Sequence, residues 1–227
     1  MSIAIILDTE TTDNKPESAH PIELAYIGYT LQPDGIYLDP HESRYKPPVP
    51  PAFGATATHH ILMSDLEGCP PSSEVKAALP AADYWIGHNI DFDWTVLGKP
   101  NVRRICTLAL ARSLWPECDS HSLSALAYFV LGATPETRSR VKSAHSALAD
   151  ILICRDILDA MLEIIRVDTL EDLWQESENA RVPKIMTFGK FKGEPVESVD
   201  RGYANWYRKQ PDPDPYLIEA FRRAGKI

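Results

Sequence analysis

The feature that most constrains this chain is a short apolar run, Ile3-Ala4-Ile5-Ile6-Leu7, that ends abruptly in Asp8-Thr9-Glu10-Thr11. Rich in β-branched residues and closed by the polar stretch Thr11 to Lys15, the run reads as a buried strand. Side chains on a strand alternate between faces, so Asp8 and Glu10 project to the same side at its end. Two neighbouring carboxylates repel each other unless cations hold them. Oxygen ligands of this kind suit a hard divalent ion such as Mg²⁺ or Mn²⁺. An Asp-x-Glu pair also arises by chance on surface strands, so the downstream residues must decide.

The 227 residues, 44% hydrophobic and 24% charged, allow one α/β domain with a full core and a small appendage. Cys69, Cys106, Cys118 and Cys154 stand far apart with no Cys-x-x-Cys spacing, which suggests neither a zinc site nor a disulfide framework. The apolar start is too short for a signal or membrane segment, so no membrane partner is expected and a reducing, cytoplasmic setting is the default. A net charge of −9 argues mildly against tight binding of long duplexes. It does not exclude a site gripping one strand end, because a carboxylate-rich centre inflates the acidic count and two divalent ions return about +4.

Ile22 to Leu31 reads as a second strand, and Ile36 to Tyr45 as a third, paired through the turn Pro33-Asp34-Gly35. Pro47 to Pro51 marks a surface connection. The adjacent His59 and His60 invite a metal reading, but sequence neighbours seldom point at one ion. A short helix is predicted over Ser72 to Ala81, then a buried strand over Asp83 to Gly87. Asp91 caps a helix carrying Asp93; Val102 to Cys106 is another strand, and Thr107 caps a helix to Leu114. Ser120 caps the next helix, which Gly132 ends. The longest helix runs from about Ala144 to Arg166, with Leu148, Ile151, Leu152, Leu158, Met161, Leu162 and Ile165 on its apolar face. The character changes near residue 167, dividing the chain into 1–166 and a small module over 167–227.

Two further carboxylates have suggestive surroundings. Asp93 ends His88-Asn89-x-x-Phe92-Asp93, just past a buried strand, where α/β sheets place ligand sites. Asp150 ends His145-Ser146-Ala147-Leu148-Ala149-Asp150, with small residues three and four positions before it on the same helical face. His145 and Asp150 are about 140° apart around a helix, which places His145 in the preceding loop or first turn. A solvated Asp and a capping His are the alternative for either motif alone.

Together, Asp8-Thr9-Glu10-Thr11, His88-Asn89-x-x-Phe92-Asp93 and His145-x-Ala147-x-x-Asp150 resemble, in order and spacing, the three exonuclease motifs of the DEDDh family, which includes proofreading subunits of bacterial DNA polymerase. The segments Thr107 to Arg112 and His121 to Leu123 also look like that family, and the likeness covers residues 1 to about 165. The tail, through Thr187-Phe188-Gly189-Lys190-Phe191-Lys192-Gly193, is similar to the extension of exonuclease X-type enzymes.

The resemblance implies an RNase H-like fold, a mixed five-stranded sheet flanked by helices, and removal of nucleotides from a DNA 3′ end by two-metal hydrolysis. It places one Mg²⁺ (or Mn²⁺) on Asp8, Glu10 and Asp150, and the second on Asp8 with Asp93 through water. His145 becomes the proton acceptor, Thr9 and Thr11 contact the terminal nucleotide, and His59 and Asn89 line the pocket.

Thr12-Asp13-Asn14 stands where the family often has Gly, and His60 replaces a small or basic residue; neither removes a ligand. Asp91 is a second candidate beside Asp93, though the motif register favours Asp93. Phe188 to Gly193, with Lys184, Lys190 and Lys192, combines rings and cations that suit a single strand, unless the rings are core. Arg138, Arg140 and Lys142 are placed to meet substrate phosphates, unless they form a solvated loop. RNA trimming remains an alternative because the motifs are shared between DNA- and RNA-degrading members. An inactive nucleic-acid-binding protein is a further one, opposed by the complete set of four carboxylates and a histidine.

Overall fold

The computed structural model describes residues 2–31, 36–142 and 146–227. The turn expected at Pro33 to Gly35 and the proton acceptor expected at His145 lie outside the described residues. The strands are β1 (Ala4–Thr11), β2 (Pro21–Tyr29), β3 (Ile36–Arg44), β4 (Tyr84–Gly87) and β5 (Arg103–Cys106). The helices are α1 (Phe53–His59), α2 (Asp91–Val96), α3 (Thr107–Leu114), α4 (Leu123–Leu131), α5 (Pro135–Lys142), α6 (Ala147–Ile165), α7 (Leu170–Arg181), α8 (Arg201–Tyr207) and α9 (Pro215–Arg223). Two compact units divide after Ser177, within α7.

In the first unit the strands form one mixed sheet in the order β3-β2-β1-β4-β5. β1 and β2 are antiparallel, as are β2 and β3, whereas β4 and β5 run parallel to β1. This is the mixed five-stranded sheet of the RNase H-like fold.

Alternation along β1 assigns its side chains to two layers. Ile5 and Leu7 join Leu24, Tyr26, Trp85, Ile90 and Leu97 in a buried cluster on one face. The even positions, ending in Asp8 and Glu10, face α6 on the other. β2 repeats the pattern: Leu24 and Tyr26 point into the first cluster, while Tyr29 donates a 2.6 Å hydrogen bond to Asp159 on α6. All nine residues of β2 are buried, as a central strand covered on both sides requires.

Glu23 is fully buried and fixes where α6 begins. One carboxylate oxygen accepts from the Ala147 N–H at 2.9 Å, and the other accepts from Arg44 Nε at 2.9 Å. The Ala147 amide is an otherwise unmatched donor of the first helical turn, so the carboxylate satisfies it and interacts favourably with the helix dipole. Ser146 caps the same end through Ala149 N–H.

Several local expectations shift. Asp91 is the first helical residue of α2 rather than its cap, and its carboxylate pairs with Arg104. Ser122, not Ser120, caps α4. Ser72 to Ala78 is a 3₁₀ helix, and α1 and α5 were not expected. Gly54, Thr56 and Thr58 are weak helix formers, and α1 starts where Ala52 N–H reaches the Thr12 carbonyl at 2.8 Å. Gly87 closes β4 because a β-carbon there would sit 3.0 Å from the Leu7 carbonyl oxygen of the adjacent strand.

The second unit is a hairpin-like turn with two short helices. Met186 N–H bonds Glu194 O and Gly193 N–H returns to Met186 O, both at 2.8 Å. Asp200 and Asp214 cap α8 and α9. Its core holds Met186, Phe191, Val196, Val199, Ala204, Tyr207, Leu217, Ala220 and Phe221. No helix among the described residues is long and apolar enough to cross a membrane.

Replacing Glu23 by Ala strands the Ala147 amide and frees Arg44. The expected loss is about 1–3 kcal/mol of unfolding free energy, read from urea denaturation in EDTA; an unchanged midpoint would show that α6 needs no such anchor.

Candidate active site

β1, β4 and β5 end at the same edge of the sheet, where parallel strands of α/β folds place their ligands. The three motifs meet there. β1 carries Asp8 and Glu10 on the α6 side, and Asp150 lies in the first turns of α6. One carboxylate oxygen from each of Asp8, Glu10 and Asp150 lies within 4.8 Å of the other two, and all three side chains are partly exposed.

Thr9 points the opposite way, toward α2, and its backbone N–H and hydroxyl both donate to Asp93 Oδ1, at 2.9 and 2.6 Å. Asp93 is buried and belongs to the same electrostatic system, since its charge raises the Asp8 carboxyl. It stands outside the three-residue cluster, its Oδ1 held by Thr9 of β1. Thr9 was singled out as a substrate contact; its hydroxyl is engaged by Asp93.

The gathering is electrostatically costly. Burial first, then Asp93, Asp150, Glu10 and Glu23, push the Asp8 carboxyl well above the usual carboxylate range. Burial and the neighbouring Asp150, Glu23 and Asp93 push Glu10 up to about 8. Burial pushes Asp93 up to about 7 despite the two hydrogen bonds from Thr9. Several carboxylates with only oxygen donors, held half-buried and resisting ionisation, are the donor set that a hard divalent cation satisfies.

Beside the cluster lies a cleft of about 370 Å³ lined by Thr9, Glu10, Thr11, Asp13, Asn14, Ala52, Gly54, Ala55, Thr58, His59 and Phe92. Thr11 donates to the Asp13 carbonyl at 2.8 Å, which folds the Thr12-Asp13-Asn14 turn back on the strand. His59 is buried and held neutral by burial, its Nδ1 accepting from Ile61 N–H at 2.9 Å. His60 is exposed, so the two neighbours do not share an ion. Asn89 is exposed and left-handed (φ 68°), turning β4 into α2.

Two side chains that the motifs did not mark as functional support the site. Glu23, register partner of Glu10, anchors the helix bearing Asp150. Its sequence signal was a charge inside an otherwise apolar strand, Ile22-Glu23-Leu24-Ala25. Thr107 does not act as a cap: its hydroxyl lies 3.1 Å from His88 Nδ1 and 3.5 Å from Cys154 Sγ, tying β4, α3 and α6 together. His88 Nε2 reaches the His121 carbonyl at 2.9 Å, and burial drops its pKa to about 4, so the neutral ring is structural. Arg138, Arg140 and Lys142 form α5 rather than a loop, and Arg140 bonds Asp156 at 2.5 Å.

No protein-family model matches the chain. Exodeoxyribonuclease 10 of Escherichia coli (strain K12) is 28% identical over 206 residues, covering 88% of each chain. The protein of the same name from E. coli O6:H1 matches equally. Among solved structures, exonuclease X in complex with 5′-overhanging duplex DNA superposes with a TM-score of 0.62 at 25% identity, covering 77% of this chain and 99% of that one. E. coli exonuclease I bound to single-stranded DNA, in its zinc-ion form, shares the fold at a TM-score of 0.58 and 18% identity, covering 81% of this chain and 44% of that one.

The raised carboxyls set a pH dependence. Unfolded carboxyls titrate near ~4, so between about 4 and about 8 the metal-free folded chain binds more protons than the unfolded one and loses stability as pH rises. The expected melting temperature in EDTA falls from pH 5 to pH 8, and Asp8→Asn flattens that fall. Mn²⁺ at a hundredfold excess over its Kd adds about 2.7 kcal/mol, most at pH 8, where protons no longer compete. Equal Mn²⁺ shifts in wild type and Asp8→Asn would remove the cluster as the binding site.

In sequence over most of its length and in fold, the chain is similar to exodeoxyribonuclease 10 and to exonuclease X.

Proposed function

We propose that the protein is a divalent-metal-dependent 3′→5′ exodeoxyribonuclease, releasing nucleoside 5′-monophosphates from DNA 3′ ends in repair or processing. The observation that carries this reading is the convergence of Asp8, Glu10 and Asp150 beside an open cleft. It is supported by the likeness to an exodeoxyribonuclease and to an exonuclease structure holding DNA.

Asp8, Glu10 and Asp150 would hold one ion, and Asp8 with Asp93 through water the other, Mg²⁺ being the natural choice and Mn²⁺ a substitute. When bound, the pair supplies Lewis-acid charge that activates water and stabilises the attacking and leaving oxygens of the displacement. Asp93, fixed by Thr9, keeps α2 in register with β1. The 3′-terminal nucleotide enters the cleft against Thr11 and His59, with Thr9 in its lining and Asn89 at the turn after β4. His59, buried and neutral, offers a ring edge without adding charge. His145 takes the proton from the attacking water, a task that suits imidazole, whose ordinary pKa is near ~6.5. A carboxylate in its place would add negative charge against the phosphate. The module over 167–227 is an accessory similar to the exonuclease X tail.

The test uses matched 5′-labelled DNA and RNA oligonucleotides with Mg²⁺, Mn²⁺ or EDTA. A descending ladder on DNA is expected with either metal and none with EDTA. His145→Ala should lower kcat by about 10²–10⁴-fold while strands still bind. A faster ladder on RNA would reassign the substrate. Strand binding without cleavage under any metal would leave a binding protein on this fold.

A further inference from the structure

The charge of the chain is unevenly divided. Residues 178–227 carry ten lysines and arginines against seven carboxylates, a net +3, so the remaining 177 residues carry −12. On this cationic unit two large rings are exposed, Phe188 at 41% and Trp206 at 55%. Solvent-facing rings of this size gathered on one small unit signal a contact surface more than isolated exposed apolar residues do.

The rings form two contacting groups, each with a tyrosine of α8. Trp206 lies 5.3 Å from Tyr203, Tyr203 stands edge-on to Phe191 at 5.0 Å, and Phe188 lies 5.7 Å from Tyr207. Tyr203 and Tyr207 are one turn apart on α8 and Trp206 flanks them, so the rings run across one helical face. Gly189, between Phe188 and Lys190, packs on the Tyr203 hydroxyl at φ 72°, and a β-carbon there would collide with it. Phe191 and Tyr207 are core, whereas Phe188 and Trp206 are the outward ends. Of the two hairpin rings, Phe191 is therefore core while Phe188 is exposed.

Cations accompany them. Lys190 sits 4.8 Å from the Phe191 ring and 3.8 Å from Asp200. Lys209, exposed in the turn that follows α8, bonds the Trp206 carbonyl through its N–H at 3.2 Å, and Lys192 is exposed at the hairpin. Among the described residues no carboxylate pairs with Lys192 or Lys209.

From this we infer that the C-terminal unit is a platform for single-stranded DNA, with Phe188 and Trp206 stacking on bases and Lys190, Lys192 and Lys209 meeting phosphates. A duplex buries its base faces in its own stack, whereas a single strand offers both faces and backbone together. The inference rests on DNA being the substrate, and it adds a second foothold on the same chain, which raises affinity through effective concentration.

The test uses the full chain in EDTA, where no cleavage occurs, and the fluorescence anisotropy of a labelled 20-nucleotide thymidine strand. Phe188→Ala and Trp206→Ala should each weaken binding about 5-fold or more, and Trp206→Phe should restore most of it. Lys209→Glu should reduce the slope of log affinity against log salt by about 0.7. Turnover of a chromogenic thymidine phosphodiester with Mn²⁺, too small to reach two footholds, should match wild type in these variants. Unchanged strand affinity in variants with wild-type melting temperatures would overturn the platform. An equal loss on a blunt duplex of the same length would overturn the single-strand assignment. Failure of wild type to cleave any diester would sink the nuclease reading instead, leaving the anisotropy series to decide the platform.

Discussion

Everything at the site depends on the two-residue alternation of β1. Its odd positions fill the layer shared with α2 and deliver the Thr9 donors to Asp93. Its even positions deliver Asp8 and Glu10 to Asp150 on α6. One strand thus sets the relative positions of two helices and four carboxylates. A slip of one residue would exchange the faces, burying two carboxylates in the apolar cluster and exposing Ile5 and Leu7 to α6. The apolar cluster therefore holds the register that the chemistry needs.

That arrangement works against the stability of the fold. Asp8 and Glu10 would be easier to accommodate apart, and their raised carboxyls record how strongly the metal-free site resists ionising both. The surrounding structure opposes it with satisfied polar contacts. Glu23 neutralises Arg44 while capping α6, and Thr9 gives Asp93 two donors. A cluster held this way would be preorganised for a cation, since its carboxylates are already gathered and a bound ion would relieve their repulsion.

Much of this was legible in the sequence because it is local. The apolar run into Asp8-x-Glu10 gave the strand and the shared face, and small residues before Asp150 gave an open helical approach. The order of strands and helices, with the three motifs, led to the mixed sheet. Other features left no local trace. Glu23 looked like one polar position in a strand, since its partners lie 21 and 124 residues away. Thr107 and His88 carried cap and motif signatures but serve a buried network whose members come from three elements. α1 defied its own composition because a contact to Thr12 starts it.

Sequence by itself determined which groups are available: four carboxylates, their strand and helix settings, and a cationic, ring-bearing tail. Those follow from periodicity and residue chemistry over a few positions. Only the tertiary structure decided which carboxylates converge and which is held back by Thr9. It also decided that Phe191 is core while Phe188 and Trp206 face solvent. The physical reason is that convergence and burial are properties of segments far apart in the chain, fixed by the packing of β1 between α2 and α6 and, in the tail, by the seating of the hairpin on α8.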